Sequence, residues 1–295
     1  MSAVIQTLAS LVRQFPRGYS PILRALATFD ESLQRLPIRL KYANREFVVD
    51  LRENVCIPLF KYGCYPYQEA ESQILLDTIR SEDVFYDVGA NIGYISFILR
   101  HSDSPPTEIH SFEPAPRAIR LIRKNFSGNE GFHLEQVVVG ESPGTVKFKE
   151  KASLNLSAVG TTSGGAKGTT ISRRKTSLDS YVDEHSPPSY LKVDVEGYEP
   201  EVLQGAQRTI SEHLPIILFE ALNEKAFDEC HDIIFSCGDY EIYGVQKPRT
   251  HSVQADSFSD PPQPSIVAPR KSKRTTNNYF AVPTRLTARF RKCFV

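Results

Sequence analysis

Apolar positions recur along this chain with a period that changes from segment to segment. Val4, Ile5, Leu8, Leu11, Val12 and Phe15 stand at helical spacing until Pro16 and Gly18 break the pattern. A second helical pattern follows through Leu23, Leu26, Phe29, Leu33 and Leu36. Such stripes most often pack on the protein's own core; a membrane-surface or partner-binding helix is the other reading. From "REFVVDL" the period changes to two, and "QEAESQILLDTIRSED" returns it to helical, so residues 1–80 read as an N-terminal helical and short-strand extension.

Between Asp83 and Tyr243 short strands alternate with helices. Strands are expected at "VFYDVG", "EIHSFE", "FHLEQVVV", "YLKVDVE", "PIILFE" and "YEIYGV", and helices at "GYISFILR", "PRAIRLIRKNF", "EPEVLQGAQRTI" and "EKAFDECHDIIFSCG". Strict alternation with apolar strands argues for a parallel sheet covered by helices on both faces, which places its ligand outside the carboxyl ends of the strands. Two stretches break the rhythm. Residues 151–177 are rich in glycine, serine and threonine and read as a flexible loop; residues 246–276 are proline-rich, then basic, and read as a second one. The late apolar run "NNYFAVP" suggests an antiparallel strand closing the sheet edge, so the main domain spans 81–284 and a basic tail occupies 285–295.

Composition narrows the classes. Among 295 residues, Lys plus Arg and Asp plus Glu are equal at 35 each, so no global field recruits nucleic acid or an anionic membrane. The five cysteines form no CxxC pair, which favours reduced thiols in a cytoplasmic protein. No apolar run approaches the ~20 residues that span a bilayer, and the N-terminus lacks the features of a signal peptide. A peripheral membrane contact through the N-terminal helices stays open.

The stretch "DVFYDVGANIGYISF" is a buried strand entering a glycine turn and then a helix. A dinucleotide fingerprint needs GxGxxG, whereas here Ala90 and Asn91 follow Gly89 before Gly93. Asp87 at the strand's end would repel a pyrophosphate but suits a cofactor presenting an ammonium and a sulfonium, which points to S-adenosylmethionine. Glu113 ends the next strand, where a carboxylate can accept hydrogen bonds from both ribose hydroxyls. Nicotinamide enzymes place an acid similarly, so this feature favours the methyl donor only together with the turn. A purely structural reading, in which Asp87 and Glu113 cap the following helices, is the alternative.

In order, "DVFYDVGANIGYISF", "SFEPAPRAIRLIRKNF", "VVVGESPGTVKF", "TSLDSYV", "YLKVDVEGYEPEVLQGAQRTI" and "IILFE" resemble the FkbM-type methyltransferases, with "NYFAVP" matching the family's last strand. "KVDVEG" is the most specific part. The resemblance implies a class I methyltransferase (Rossmann-like) α/β sheet, mostly parallel with an antiparallel final strand and helices on both faces. It also implies S-adenosylmethionine as cofactor and methylation of a hydroxyl on a sugar, glycan, lipid or small-molecule natural product. By position it assigns Asp87, Gly89, Asn91 and Gly93 to the methionine side of the cofactor site and Glu113 to the ribose.

"LKVDVEG" places Lys192, Asp194 and Glu196 at alternate positions, hence on one side of a regular strand. Charges along an apolar central strand are costly to bury unless paired or wet, so a site explains them better than a core. Asp194 is the first candidate for base or hydroxyl acceptor, Glu196 the second, and Glu220, ending the next strand, the third. Otherwise Lys192 and Asp194 form a structural ion pair and Glu196 caps the following helix. Clustered carboxylates also suit magnesium or calcium, but with no neighbouring Asp-Asn pair no metal is assigned. The seven histidines are scattered without HxH or HxxxH spacing, and only His185 is kept as an alternative base. Upstream, "YGCYPYQEAE" sets Tyr62, Tyr65 and Tyr67 beside Glu69 and Glu71, as pocket border or helix packing. Two rival classes remain: a nicotinamide-dependent oxidoreductase, and a noncatalytic binding protein that uses the basic run "RKSKR" (270–274) to meet an acidic partner.

Overall fold

The computed structural model describes residue 12 and residues 18–151, 158–159, 168–245, 266–267 and 277–292. Most of the first apolar stripe, most of 246–276 with its basic run, and the last three residues of the tail lie outside the described residues. The N-terminal region comprises α1 (Tyr19–Phe29), an antiparallel pair β1 (Leu36–Arg39) and β2 (Glu46–Val49), then α2 (Cys56–Tyr62) and α3 (Glu69–Thr78). The second apolar stripe resolves differently from its expectation. Leu33 falls in a 3-10 turn and Leu36 begins β1, so α1 buries Leu23 and Ala27 while Leu26 and Phe29 face outward. This region docks onto the main sheet through Phe47, whose ring meets Phe97 edge-on at 4.8 Å, and through Asn125, whose side-chain amide bonds both the N–H and the carbonyl of Val48.

The predicted alternation condenses into β3 (Val84–Val88), α4 (Tyr94–Arg100), β4 (Glu108–Phe112), α5 (Pro116–Asn125) and β5 (Phe132–Glu135). A smaller sheet follows, built from β6 (Val138–Val139), β7 (Gly144–Lys151), β8 (Ala158–Val159) and β9 (Gly168–Thr176) in the order β6-β9-β7-β8. "FHLEQVVV" is therefore two strands in different sheets. The segment 151–177, read as a loop from its glycines and serines, ends in a strand: β9 pairs antiparallel along the whole of β7, and its threonines and Ile171 suit a pleated surface.

The chain returns to the main sheet with α6 (Leu178–Tyr181), β10 (Tyr190–Val193), α7 (Glu199–Gln204), α8 (Gln207–His213), β11 (Ile216–Glu220), α9 (Glu224–Cys237), β12 (Tyr240–Val245), β13 (Ile266–Val267), β14 (Asn278–Pro283) and α10 (Thr287–Arg291). Strand order is β13-β12-β14-β11-β10-β3-β4-β5. All neighbours from β11 through β5 are parallel; β14 is antiparallel to both β11 and β12. The last strand is thus antiparallel as expected, yet it does not close the edge. The α9 crossover sets β12 one place too far from β11 to pair with it, and β14 fills the gap.

Alternate residues divide between two cores, as a sheet covered on both faces requires. Phe85, Tyr190, Leu218 and Phe280 join one apolar cluster with α4 and α5; Tyr86, Leu191, Phe219 and Tyr279 join the other with α6, α7 and α9. Among the described residues no helix is long and apolar enough to cross a membrane.

Candidate active site

β3 carries its glycine turn to the carboxyl rim of the sheet. Gly89 has φ +79°, and a side-chain carbon placed on it would lie 1.9 Å from the Asp194 carbonyl oxygen, so no larger residue fits between β3 and β10. Four of the turn's N–H groups are already engaged. Those of Gly89 and Ala90 donate to the Phe112 carbonyl at 3.0 and 3.1 Å, that of Gly93 to Ala90, and that of Asn91 to Glu113 Oε2 at 2.9 Å. A phosphate cradle needs such donors free. Gly93 (φ +80°) faces Phe126 and Ile122 of α5, so it shapes the turn from behind while Gly89 and Asn91 line the cleft.

Asp87 is also behind the cleft. Fully buried, it accepts a hydrogen bond from Ser96 Oγ at 2.6 Å, and its other oxygen lies 3.1 Å from Lys192 Nζ on the registered position of β10. The expectation that Asp87 repels phosphate is corrected here: its charge is matched inside the sheet by Lys192. Lys192 lies 3.5 Å from Asp194 as well. Burial works against its charge, but these two carboxylates outweigh that and hold the ammonium well above the ordinary lysine value.

Glu113 faces the cleft, nearly buried, with one oxygen taking the Asn91 N–H and the other the Ala115 N–H at 2.8 Å. Burial pushes its carboxyl up to about 7, against the pull of those two bonds. Each oxygen keeps a lone pair for a further donor.

The other end of the cleft is acidic. Asp194 follows the last residue of β10, and Gln68 donates to its Oδ2 at 3.3 Å. Glu220 ends β11 and is driven up to about 8, first by burial and then by Asp194, Glu196 and Glu199. Glu196 lines the cleft too, though not by strand alternation: β10 ends at Val193 and Glu196 sits in a left-handed turn at φ +58°. That turn is closed by Glu199, whose carboxylate accepts the N–H groups of Val195 and Gly197 at 3.0 and 3.1 Å.

Together these residues bound a cleft of about 240 Å³ that runs from Glu113 and Pro114 to Glu196 and Glu220. Tyr65, Tyr67 and Gln68 form one wall, so the upstream aromatic stretch borders the pocket; Tyr62 packs elsewhere, against Lys61. Burial and the three cleft carboxylates push the Tyr67 phenol up, which keeps it a hydrogen-bond donor. The sequence reading missed Asn278, registered opposite Glu220, because β14 lies far along the chain from β11. It also missed Val137, Val138 and Phe148, whose apolar spacing carried no chemical signal. His185 is not in the cleft: it stacks on Tyr181 at 3.9 Å and bonds the Tyr181 carbonyl.

A parallel sheet with one inserted antiparallel strand, a glycine turn whose donors serve the next strand, and a ribose-competent acid after it define a class I methyltransferase. The chain belongs to the Methyltransferase FkbM domain family, which matches residues 87–240. It is 30% identical over 136 residues to the hexuronic acid methyltransferase AglP of Haloferax volcanii, a stretch covering 45% of this chain and 54% of that one; the chain thus spans about half the length of this curated relative. Among solved structures, the methyltransferase FkbM of Methylobacillus flagellatus superposes with a TM-score of 0.47 at 16% identity, covering 89% of this chain and 58% of that one. A putative SAM-dependent methyltransferase of Streptococcus mutans gives 0.46 at 10% identity, covering 84% and 55%.

Proposed function

We propose that this protein is an S-adenosylmethionine-dependent O-methyltransferase whose acceptor is a hydroxyl on a sugar, glycan, lipid or small natural product. The observation that carries this reading is the spacing of its acids on the rim. Glu113 and Asp194 stand two strand positions apart, about 10 Å at 4.7–4.9 Å per strand, and Glu220 one position further. A ribose anchor and an anionic reaction end are thereby separated by roughly the length of a nucleoside. The residues fit the cofactor: Glu113 has lone pairs for ribose hydroxyls, the turn's N–H groups at Gly89, Ala90, Asn91 and Gly93 are already bonded and so are not offered to a phosphate, and the far end suits a cation.

When bound, S-adenosylmethionine supplies an electrophilic methyl carbon on a sulfonium. Asp194, held by Lys192 and Gln68, accepts the hydrogen bond of the acceptor hydroxyl and orients it. Glu220, once ionised, takes the hydroxyl proton, while Tyr67 and Asn278 bound the space in which the acceptor lies. Orientation supplies the larger part of the rate, and the base a further 10²–10⁴-fold or so. The hexuronic acid methyltransferase relative supports a sugar acceptor, and the free thiols of Cys56, Cys64 and Cys230 support a reducing, cytoplasmic setting. Calorimetry with S-adenosylmethionine, followed by labelled methyl transfer to a sugar panel that includes hexuronic acids, tests the reading. Folded protein that binds no S-adenosylmethionine, or is stabilised by NAD instead in a thermal-shift comparison, overturns it.

A further inference from the structure

Far from the cleft, at the amino-terminal half of β4, the parallel register does what the sequence spacing conceals. Glu108 and His110 lie two apart on one strand, and His133 of β5 is registered directly beside His110. The two imidazoles stack at 4.3 Å. His110 Nε2 is 2.9 Å and His133 Nε2 3.8 Å from the same oxygen, Glu108 Oε2. One ligand atom from each of the three residues lies within 4.8 Å of the others, and among the described residues this is the one such cluster. A tetrahedral zinc with bonds of about 2.0–2.1 Å sets its ligands ~3.3 Å apart, so small side-chain adjustments would bring all three into range.

The surrounding shell has the form that orients metal ligands. His110 Nδ1 is 2.9 Å from Tyr181 Oη, which can accept a ring proton and leave the Nε2 lone pair free for a metal. Ser186 Oγ donates to Glu108 Oε1 at 3.1 Å, leaving Oε2 turned toward the histidines. His110 is buried, whereas the side chains of Glu108 and His133 are 28% and 44% exposed, so the cluster opens to solvent on one side and a water can complete the coordination. None of the three residues lines the acidic cleft, and Glu108 and Glu113 are separated by about 16 Å along the strand direction at ~3.3 Å per residue.

We propose that Glu108, His110 and His133 form a binding site for a borderline divalent transition metal of the zinc type, separate from the methyl-transfer cleft. Two imidazoles and one carboxylate select such an ion over magnesium or calcium. The bound ion ties the edge strand β5 to β4 and, through Tyr181 and Ser186, to the loop leading into β10.

The full chain, stripped with a chelator and dialysed, is titrated with Zn²⁺ by calorimetry and with Co²⁺ by visible absorption. One equivalent of tight binding is expected, with the d–d bands of a four-coordinate Co²⁺ site. His133→Ala and Glu108→Gln, folded by circular dichroism, should weaken it at least tenfold, and Tyr181→Phe should weaken it by about 10–100-fold. His133→Gln provides a second variant at the exposed position should the alanine fail to fold. The Asp194→Asn/Glu196→Gln double variant should bind Zn²⁺ as the wild type does. Absence of binding by the wild type, unchanged binding by His133→Ala and Glu108→Gln, or loss of binding only in the cleft variant overturns the proposal.

Discussion

Glu220 makes the sharpest test of the cleft's chemistry. Its carboxyl is raised to about 8 by burial and by the neighbouring acids, so in the free protein it is roughly 9% ionised at pH 7, 50% at pH 8 and 91% at pH 9. If it takes the acceptor's proton, kcat/KM should climb about tenfold between pH 7 and pH 9 and level off above. A cation bound beside it favours the carboxylate, so the corresponding limb of kcat should lie at lower pH. Glu220→Gln should abolish the limb and lower the plateau by roughly 10²–10⁴-fold. The same substitution carries a stability signature of defined sign. Because the folded-state value lies above the unfolded value of about 4.3, Glu220 favours the folded state fully below that value. The contribution is lost as pH rises through about 8, so Glu220→Gln should gain on the wild type in denaturant midpoint across that window. Initial rates of labelled methyl transfer from pH 6 to pH 10, with paired urea titrations, read both. A flat wild-type profile, or a glutamine variant that keeps the limb and the rate, would refute the assignment.

Glu113 should couple cofactor binding to pH in the same sense: with its carboxyl near 7, affinity for S-adenosylmethionine should fall close to tenfold per unit below pH 7 and be level above it. Calorimetry at pH 5.5, 6.5 and 8 reads this, and Glu113→Gln should flatten the dependence while weakening binding at least tenfold. Lys192→Met leaves Asp87 buried without its cation and should cost about 3–5 kcal/mol in urea denaturation. Adding Asp87→Asn should recover part of that loss, and equal stabilities for the single and double variants would contradict the pairing. Gly89→Ala forces a side chain against the Asp194 carbonyl at a left-handed position and should destabilise by at least ~2 kcal/mol, read as a drop in thermal midpoint.

Much of the fold was legible because buried parallel strands announce themselves as apolar runs and their turns as glycines. Glu113 was legible because it ends such a run. What depends on register was not. That Asp87 meets Lys192, and that His110 meets His133, follows from how β3, β4, β5 and β10 slide against one another, which no spacing within a single strand records. Asn278 is registered with Glu220 only because β14 inserts between β11 and β12 after a long excursion.

The register also changes the argument about charge at the candidate site. Along the sequence Lys192 stands two residues from Asp194 and four from Glu196, and that spacing offers Asp194 as its partner. In the fold Lys192 lies nearest the buried Asp87, 3.1 Å away against 3.5 Å for Asp194. Asp87 is thereby removed as the source of repulsion, and the exclusion of phosphate rests instead on turn N–H groups already bonded to Phe112 and Glu113. The negative field that suits a sulfonium comes from Asp194 and Glu196 on the rim, joined by Glu220 once it ionises. Burial first, and then the neighbouring acids, raise Glu220 into the range where it can exchange a proton near neutral pH, so under the proposed function the same rim serves both the cationic donor and the acceptor hydroxyl.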